Sequence, residues 1–320
     1  MSERASRADQ HAPRPGVARR PEATSRAGMS MVRANGLTVH VQQLTPPGAA
    51  GGSDPSRTAV LIHGLVTDTL ASWYLTLADP LAAAGLRVIM YDLRGHGHSG
   101  RPAQGYALDD FIDDLSALLA ELGVTGPVHL LGNSFGGTIA YGYTARHPER
   151  VAALAAIEAA PPTAAWLARV ARRLDRAAAY LPREQALAEI SAERGAWAGR
   201  RARTAREVLA ETGLVHELPA SRLPAEERIV AIGCPVLCVY GGDSAVVELA
   251  PEVRRLLPQA RIVTVPGQRH AVLVEQPTTV RDIVLSWLRQ DCGVPAPRPQ
   301  SAHRAADGRR ARPAATTTRD

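Results

Sequence analysis

At 320 residues the chain can bury one large core, either as a single α/β domain with an insertion or as two domains. Its 45% hydrophobic and 21% charged residues are those of an ordinary soluble protein, and no apolar run reaches the roughly 18 residues that would suggest a membrane span. The formal net charge of +6 resides in the ends, since residues 1–35 and 289–320 each hold seven Arg against three acids, so the nearly neutral middle argues against nucleic acid as a partner.

All 37 basic residues are Arg, a bias better explained by GC-rich coding than by phosphate recognition. Cys234, Cys238 and Cys292 form no paired framework, and two of them fall in or beside one predicted strand; reduced thiols in a cytoplasm fit this usage. The first 30 residues lack the apolar centre of a secretory signal. Because the same Pro, Gly, Arg and Ala bias returns over residues 291–320, residues 1–30 and 291–320 are expected to be disordered tails.

Residues 37–44 alternate apolar and polar, as expected for a half-buried antiparallel edge strand, and the Gly/Pro/Ser-rich residues 46–57 predict a loop. Residues 58–62 are continuously apolar, the mark of a strand covered on both faces, and run directly into His63-Gly64-Leu65. A helix is predicted over 71–84, a buried strand over 86–91 and a loop over 92–102 that carries His96 and His98. An amphipathic helix over 109–122 ends at Gly123.

The stretch Val128-His-Leu-Leu-Gly-Asn-Ser-Phe-Gly-Gly137 reads as strand, sharp turn and helix. Such a turn exposes the Ser134 hydroxyl at the strand's carboxyl end, and Gly132 and Gly136 leave room for strand and helix to approach closely. The following helix aims free N–H groups and a positive dipole end at the same place. A further buried strand over 151–157 ends in Glu158. Residues 161–223 are Ala- and Arg-rich with helical patterns only, and strand-helix alternation resumes near Ile232. Strands are predicted over 235–240 and 260–265, followed by His270 in a loop and a closing helix over 277–290.

Four motifs, Leu61-Ile-His-Gly64, Asp92-Leu-Arg-Gly-His-Gly-His-Ser99, the Ser134 turn and Gly267-Gln-Arg-His-Ala-Val-Leu-Val-Glu-Gln-Pro277, occur in an order and spacing that resemble the α/β-hydrolase fold from about Met31 to Gln290. That resemblance implies a mostly parallel eight-stranded sheet flanked by helices, with the core in residues 31–160 and 224–290. It also implies a helical cap over residues 161–223, inserted after the sixth strand, with Trp166, Val170, Leu181 and Trp197 as candidates for its underside. The backbone N–H groups of Leu65 and Phe135 would form an oxyanion hole. His63 would brace its turn, and the Asp92–Ser99 motif would be structural, which disfavours a metal at His96 and His98.

Serine is a poor nucleophile without a base and a third group that orients that base. The resemblance makes His270 the base. The usual acid slot after the seventh strand, Gly-x-x-Asp, holds Ser244 here, with Asp243 one residue early. Some relatives take a Glu from the end of the sixth strand, so Glu158 and Asp243 both stand as candidates, with a slight preference for Glu158. The expected function is a cofactor-independent serine hydrolase acting on an ester, thioester or lactone of a hydrophobic small molecule. A carbon–carbon bond hydrolase, a non-hydrolytic ring-opening or coupling enzyme, and a non-catalytic binding protein on the same fold compete with it. No metal, nucleotide or flavin site is visible in the sequence, and oligomeric state is not legible.

Overall fold

A computed structural model describes residues 26–46 and 57–294. The tails expected up to residue 25 and beyond residue 294, and most of the loop expected over 46–57, lie outside the described residues. Eight strands form one sheet: β1 (Arg26–Ala34), β2 (Leu37–Thr45), β3 (Thr58–Ile62), β4 (Arg87–Tyr91), β5 (Val128–Asn133), β6 (Val151–Ile157), β7 (Val236–Gly241) and β8 (Arg261–Val265). Their spatial order is β1-β2-β4-β3-β5-β6-β7-β8. The pairings of β2 with β1 and with β4 are antiparallel, and all others are parallel. The mostly parallel eight-stranded sheet implied by the motifs is therefore present.

Two boundaries differ from the sequence reading. Residues 26–30 belong to β1 rather than to a tail, and β1 makes β2 an interior strand instead of the edge. The exposed Met29 and Met31 on β1 hide its strand character, but Asn35 and Gly36, both at positive φ, form the two-residue turn that closes the β1–β2 hairpin. The helix expected over 71–84 splits into α1 (Ala71–Tyr74) and α2 (Ala78–Ala83). Pro80 has no N–H to donate to Thr76, so one continuous helix would lose a bond there, whereas in the first turn of α2 none is needed.

The remaining helices are α3 (Leu108–Glu121), α4 (Phe135–Arg146), α5 (Ala164–Tyr180), α6 (Ala186–Glu211), α7 (Leu214–Glu217), α8 (Glu226–Val230), α9 (Ala250–Leu256), α10 (Val272–Glu275) and α11 (Pro277–Asp291). Side chains alternate across the pleat, so each strand serves two cores. Val60, Ile62, Leu130 and Leu154 join Phe111 of α3 and Ile139 of α4 on one face. Ala59, Leu61, Leu131 and Leu237 join Trp73, Leu81, Val284 and Trp287 on the other. Each buried Leu or Ile stabilises the fold by about 1.5–3 kcal/mol, which fixes the strand ends that carry the polar residues.

Between β6 and β7 the chain leaves the sheet for α5, α6 and α7, and α6 kinks at Gly195, where φ is 84°. These helices add Trp166, Leu174 and Val208 to the first core and enclose a small cluster of Leu181, Ala202 and Ala205. Among the described residues no helix is long and apolar enough to cross a membrane.

Candidate active site

At the carboxyl end of β5 the backbone turns sharply into α4 through Ser134, whose φ of 53° and ψ of −121° lie outside the regions favoured by L-residues. The Ser134 N–H donates to the Ile157 carbonyl of the neighbouring strand at 2.8 Å, holding the strained residue in place. A Cβ at Gly132 would run into the backbone of Gly136 and Gly137, and one at Gly136 into the carbonyls of Ile62 and His63. The glycine spacing of the motif thus records two backbone contacts that no side chain permits.

β6 also ends in a left-handed residue, Glu158, with φ 53°. Its side chain is fully buried, and each oxygen is occupied: Oε1 accepts the Gly241 N–H at 2.5 Å, while Oε2 accepts the Ser244 hydroxyl and His270 Nδ1–H, the latter at 2.9 Å. His270 comes from the loop after β8 and is about one-third exposed (34%). With its Nδ1 proton directed at a carboxylate, His270 keeps Nε2 as a bare acceptor, 3.0 Å from Ser134 Oγ. Ser134, His270 and Glu158 therefore form one hydrogen-bonded chain. Asp243 is not part of it: its side chain is exposed, and its backbone N–H donates to the Gln268 carbonyl at 2.9 Å.

The turn after β3 lies opposite. Among the described residues, no backbone carbonyl takes up the N–H groups of Leu65 or Phe135, and both residues line the cavity that contains Ser134. The turn is held from behind. His63, fully buried, donates from Nδ1 to the Gly64 carbonyl at 2.7 Å and accepts the Leu93 N–H at Nε2 at 2.9 Å. His96 donates to the Arg94 carbonyl and accepts the Val66 N–H, both at 2.7 Å, which fixes Val66 at φ 67°. Burial, then the neighbouring His63, pushes the His96 pKa down to about 3, so its ring is neutral. Asp68, which sequence reasoning missed, accepts the N–H groups of Gly64 at 2.8 Å and Thr69 at 3.0 Å. Burial would raise its pKa, but the His63 ring and those N–H groups outweigh it and leave it below the ordinary carboxylate value. The Gly64 and Thr69 partners belong to its own turn, and Asn133 Nδ2 donates to Asp68 from β5 at 3.3 Å.

The Asp92–Ser99 loop braces the same region. Asp92 accepts the Leu70 N–H at 2.9 Å, the His98 N–H at 3.0 Å and His40 Nδ1–H at 2.7 Å, tying β2 to the loop. The His98 ring lies edge-on to His40, with centroids 5.1 Å apart. Among the described residues no group of three or more His, Cys, Asp or Glu is positioned to hold a metal ion.

The cavity above Ser134 has a volume of about 540 Å³. Leu65, Ser134, Phe135 and His270 line its sheet side, and Trp166, Val170, Leu174 and Leu181 line its helical side. Trp166 stacks on Phe135 with centroids 6.1 Å apart and an 11° interplanar angle. Trp197, expected on the underside of the helices, is instead 60% exposed with the Arg201 guanidinium 4.4 Å above its ring. Arg201 and Ala205, on the same segment beyond the Gly195 kink, line the cavity in its place.

A serine on a strained strand-to-helix turn, facing a histidine from the loop after the last strand of a mostly parallel sheet, defines the hydrolase type of α/β protein. The alpha/beta hydrolase fold family model matches residues 60–277, and the chain belongs to that family. It is 30% identical over 265 residues, 74% of this chain and 92% of the relative, to a Bacillus subtilis (strain 168) protein provisionally named 2-succinyl-6-hydroxy-2,4-cyclohexadiene-1-carboxylate synthase. A monoacylglycerol lipase of Mycolicibacterium smegmatis is 29% identical over 251 residues, 74% of this chain and 89% of the lipase. A solved structure from a study of carboxylesterases of the thaumarchaeon Nitrososphaera gargenis superposes with a TM-score of 0.61 at 25% identity, covering 82% of this chain and 98% of that one.

Proposed function

We propose that the protein is a cofactor-independent serine hydrolase that cleaves an ester, thioester or lactone of a small molecule with a hydrophobic body. The observation that carries this reading is the hydrogen-bonded chain from Ser134 Oγ to His270 Nε2 at 3.0 Å and from His270 Nδ1 to Glu158 at 2.9 Å. Ser134 attacks the acyl carbonyl as His270 takes its proton, and Glu158, rather than the exposed Asp243, stabilises the imidazolium. The N–H groups of Leu65 and Phe135 receive the oxyanion, each contributing about 3–4 kcal/mol to the transition state. His270 then protonates the leaving group, and a water activated by the same ring releases the acyl group from Ser134. Helices α5 and α6 act as a lid that excludes bulk water and selects the substrate.

A fluorophosphonate probe should label Ser134 stoichiometrically and abolish hydrolysis of an activated ester. Ser134→Ala should be neither labelled nor active, at an unchanged thermal midpoint. Full hydrolysis by Ser134→Ala would remove the reading. The synthase name of the Bacillus subtilis relative favours a second one, in which Ser134 and His270 drive carbon–carbon or non-hydrolytic ring chemistry. A panel in which no activated ester turns over although Ser134 is labelled would select that alternative.

A further inference from the structure

The helical wall of the catalytic cavity is not purely apolar. Along α5 the residues that face the cavity are Trp166, Arg169, Val170, Arg173, Leu174 and Ala177, three and four apart on one helix face. Two guanidiniums thus stand in a stripe that is otherwise the apolar underside of a lid, and α6 adds Arg194 and Arg201 to the same cavity. The carboxylates that line it, Asp68 and Glu158, are already committed to the Gly64 turn and to His270.

Arg169 is paired with Glu248 at 2.8 Å, and Arg201 donates to the neutral Thr67 hydroxyl at 3.1 Å. Among the described residues neither Arg173 nor Arg194 has a carboxylate partner. With Glu248 counted alongside the lining residues, four guanidiniums face three carboxylates, which leaves one positive charge uncompensated. Arg173 is exposed, yet the packing around its inner part, followed by the nearby Arg176 and Arg169, outweighs the opposing pull of Glu158 and draws its pKa below the ordinary arginine value. Arg173 and Arg194 also border an adjoining shallow cavity with Arg176 and Arg183, so the path outward passes guanidiniums. Guanidiniums gathered around one cavity repel one another where no carboxylate touches them, and an anionic ligand relieves that repulsion.

We propose that the substrate carries a carboxylate in addition to its reacting acyl group, and that Arg173, with Arg194 and Arg201 in the same wall, receives it. This rests on the serine-hydrolase reading. A single excess charge matches a monoanion, and the planar guanidinium fork matches the two oxygens of a carboxylate. Val170, Leu174 and Leu181 hold the apolar body between the two polar ends, so the substrate class is an amphiphilic monoacid.

The test uses two matched pairs of esters on the full chain. Mono-4-nitrophenyl adipate against its methyl-capped neutral analogue places the charge on the acyl side, and 4-acetoxybenzoate against its methyl ester places it on the leaving-group side. In at least one pair the anionic ester should exceed its neutral partner in kcat/KM by roughly tenfold or more, chiefly through KM, with the advantage shrinking as salt rises. The pair that shows it identifies the end bearing the carboxylate. In Arg173→Met, verified as folded by its thermal midpoint, that ratio should fall towards one, and Arg173→Lys should restore part of it. Neutral esters preferred in both pairs, or an unchanged ratio in Arg173→Met, would overturn the inference while fluorophosphonate labelling of Ser134 leaves the hydrolase reading intact. If no ester turns over and Ser134 is unlabelled, the hydrolase reading falls and takes this inference with it.

Discussion

Replacing Glu158 by Gln tests the hydrogen-bonded chain at its most buried point, because the amide keeps the side chain's shape while converting one acceptor into a donor. Glu158 is 1% exposed and accepts from Gly241 N, Ser244 Oγ and His270 Nδ1, so no orientation of Gln satisfies all three. If the amide oxygen faces His270, the NH₂ meets the Gly241 N–H, and two buried donors oppose each other at a stability cost of about 1–3 kcal/mol. If the NH₂ faces His270 instead, it donates to Nδ1 and drives the ring proton to Nε2, which then donates to Ser134 and cannot act as base. In either case the imidazolium loses its counter-charge. Loss of the orienting carboxylate should lower kcat by about ten-thousandfold, or roughly 5.5 kcal/mol of barrier at 1.36 kcal/mol per tenfold. Initial rates with an activated ester, the rate of fluorophosphonate labelling and the thermal midpoint together separate the catalytic loss from the stability cost. Asp243→Asn is the control, since an exposed carboxylate should change kcat no more than a few-fold. A Glu158→Gln enzyme within tenfold of the parent, or a large loss in Asp243→Asn, would refute the assignment.

Arg94 donates from Nε to Asp114 Oδ2 at 2.6 Å and from Nη2 to Oδ1 at 2.5 Å, in a buried pair that joins the Asp92 loop to α3. Arg94→Met strands the Asp114 charge and should cost about 3–5 kcal/mol, lowering the thermal midpoint by roughly 6–20 °C in calorimetry; a shift under about 2 °C would mean the pair is net neutral. His96 has a folded-state pKa of about 3, against an ordinary value of 6.5, so within that window the unfolded chain binds a proton that the native state lacks. Its contribution to stability is complete above pH 6.5 and is lost as pH falls, at about 1.4 kcal/mol per pH unit. Urea midpoints from pH 7 to 4 should fall more steeply for the parent than for His96→Gln, and equal slopes would refute the assignment.

What the sequence disclosed was local. Ser134 was legible because Gly132 and Gly136 record, within five residues, backbone contacts that forbid a side chain. The two cores followed from continuous apolar runs such as residues 58–62, which can be read without a partner strand. β1 escaped because its outward Met29 and Met31 break the polar half of the alternation, although Asn35-Gly36 was a readable hairpin signal. The break at Pro80 was overridden by the apolar periodicity around it. The role of Ser244 was invisible because it depends on Glu158, brought near by the fold, and Asp68 escaped because a carboxylate bonding the backbone of its own turn belongs to none of the four motifs; helical spacing could identify the inner face of α5 but not what stands across from Arg173.

In the proposed triad, Glu158 illustrates how a site can keep its geometry while the strand that donates its acid changes. β6 and β7 are paired from Leu154 with Val236 to Ile157 with Val239, so their carboxyl ends open onto the same space below His270. Glu158 reaches that space by leaving β6 in a left-handed conformation, as Ser134 leaves β5, and both residues have φ 53°. Ser244 fills the slot where a carboxylate would otherwise stand, and its hydroxyl donates to Glu158, so that position supports the charge instead of supplying it. The loop bearing His270 is pinned to the same corner, because the Gln268 and Arg269 carbonyls pack where a Cβ on Gly241 would lie. Serine and carboxylate thus leave the ends of β5 and β6, while the histidine comes from a loop after β8 that the Gly241 approach holds against the sheet.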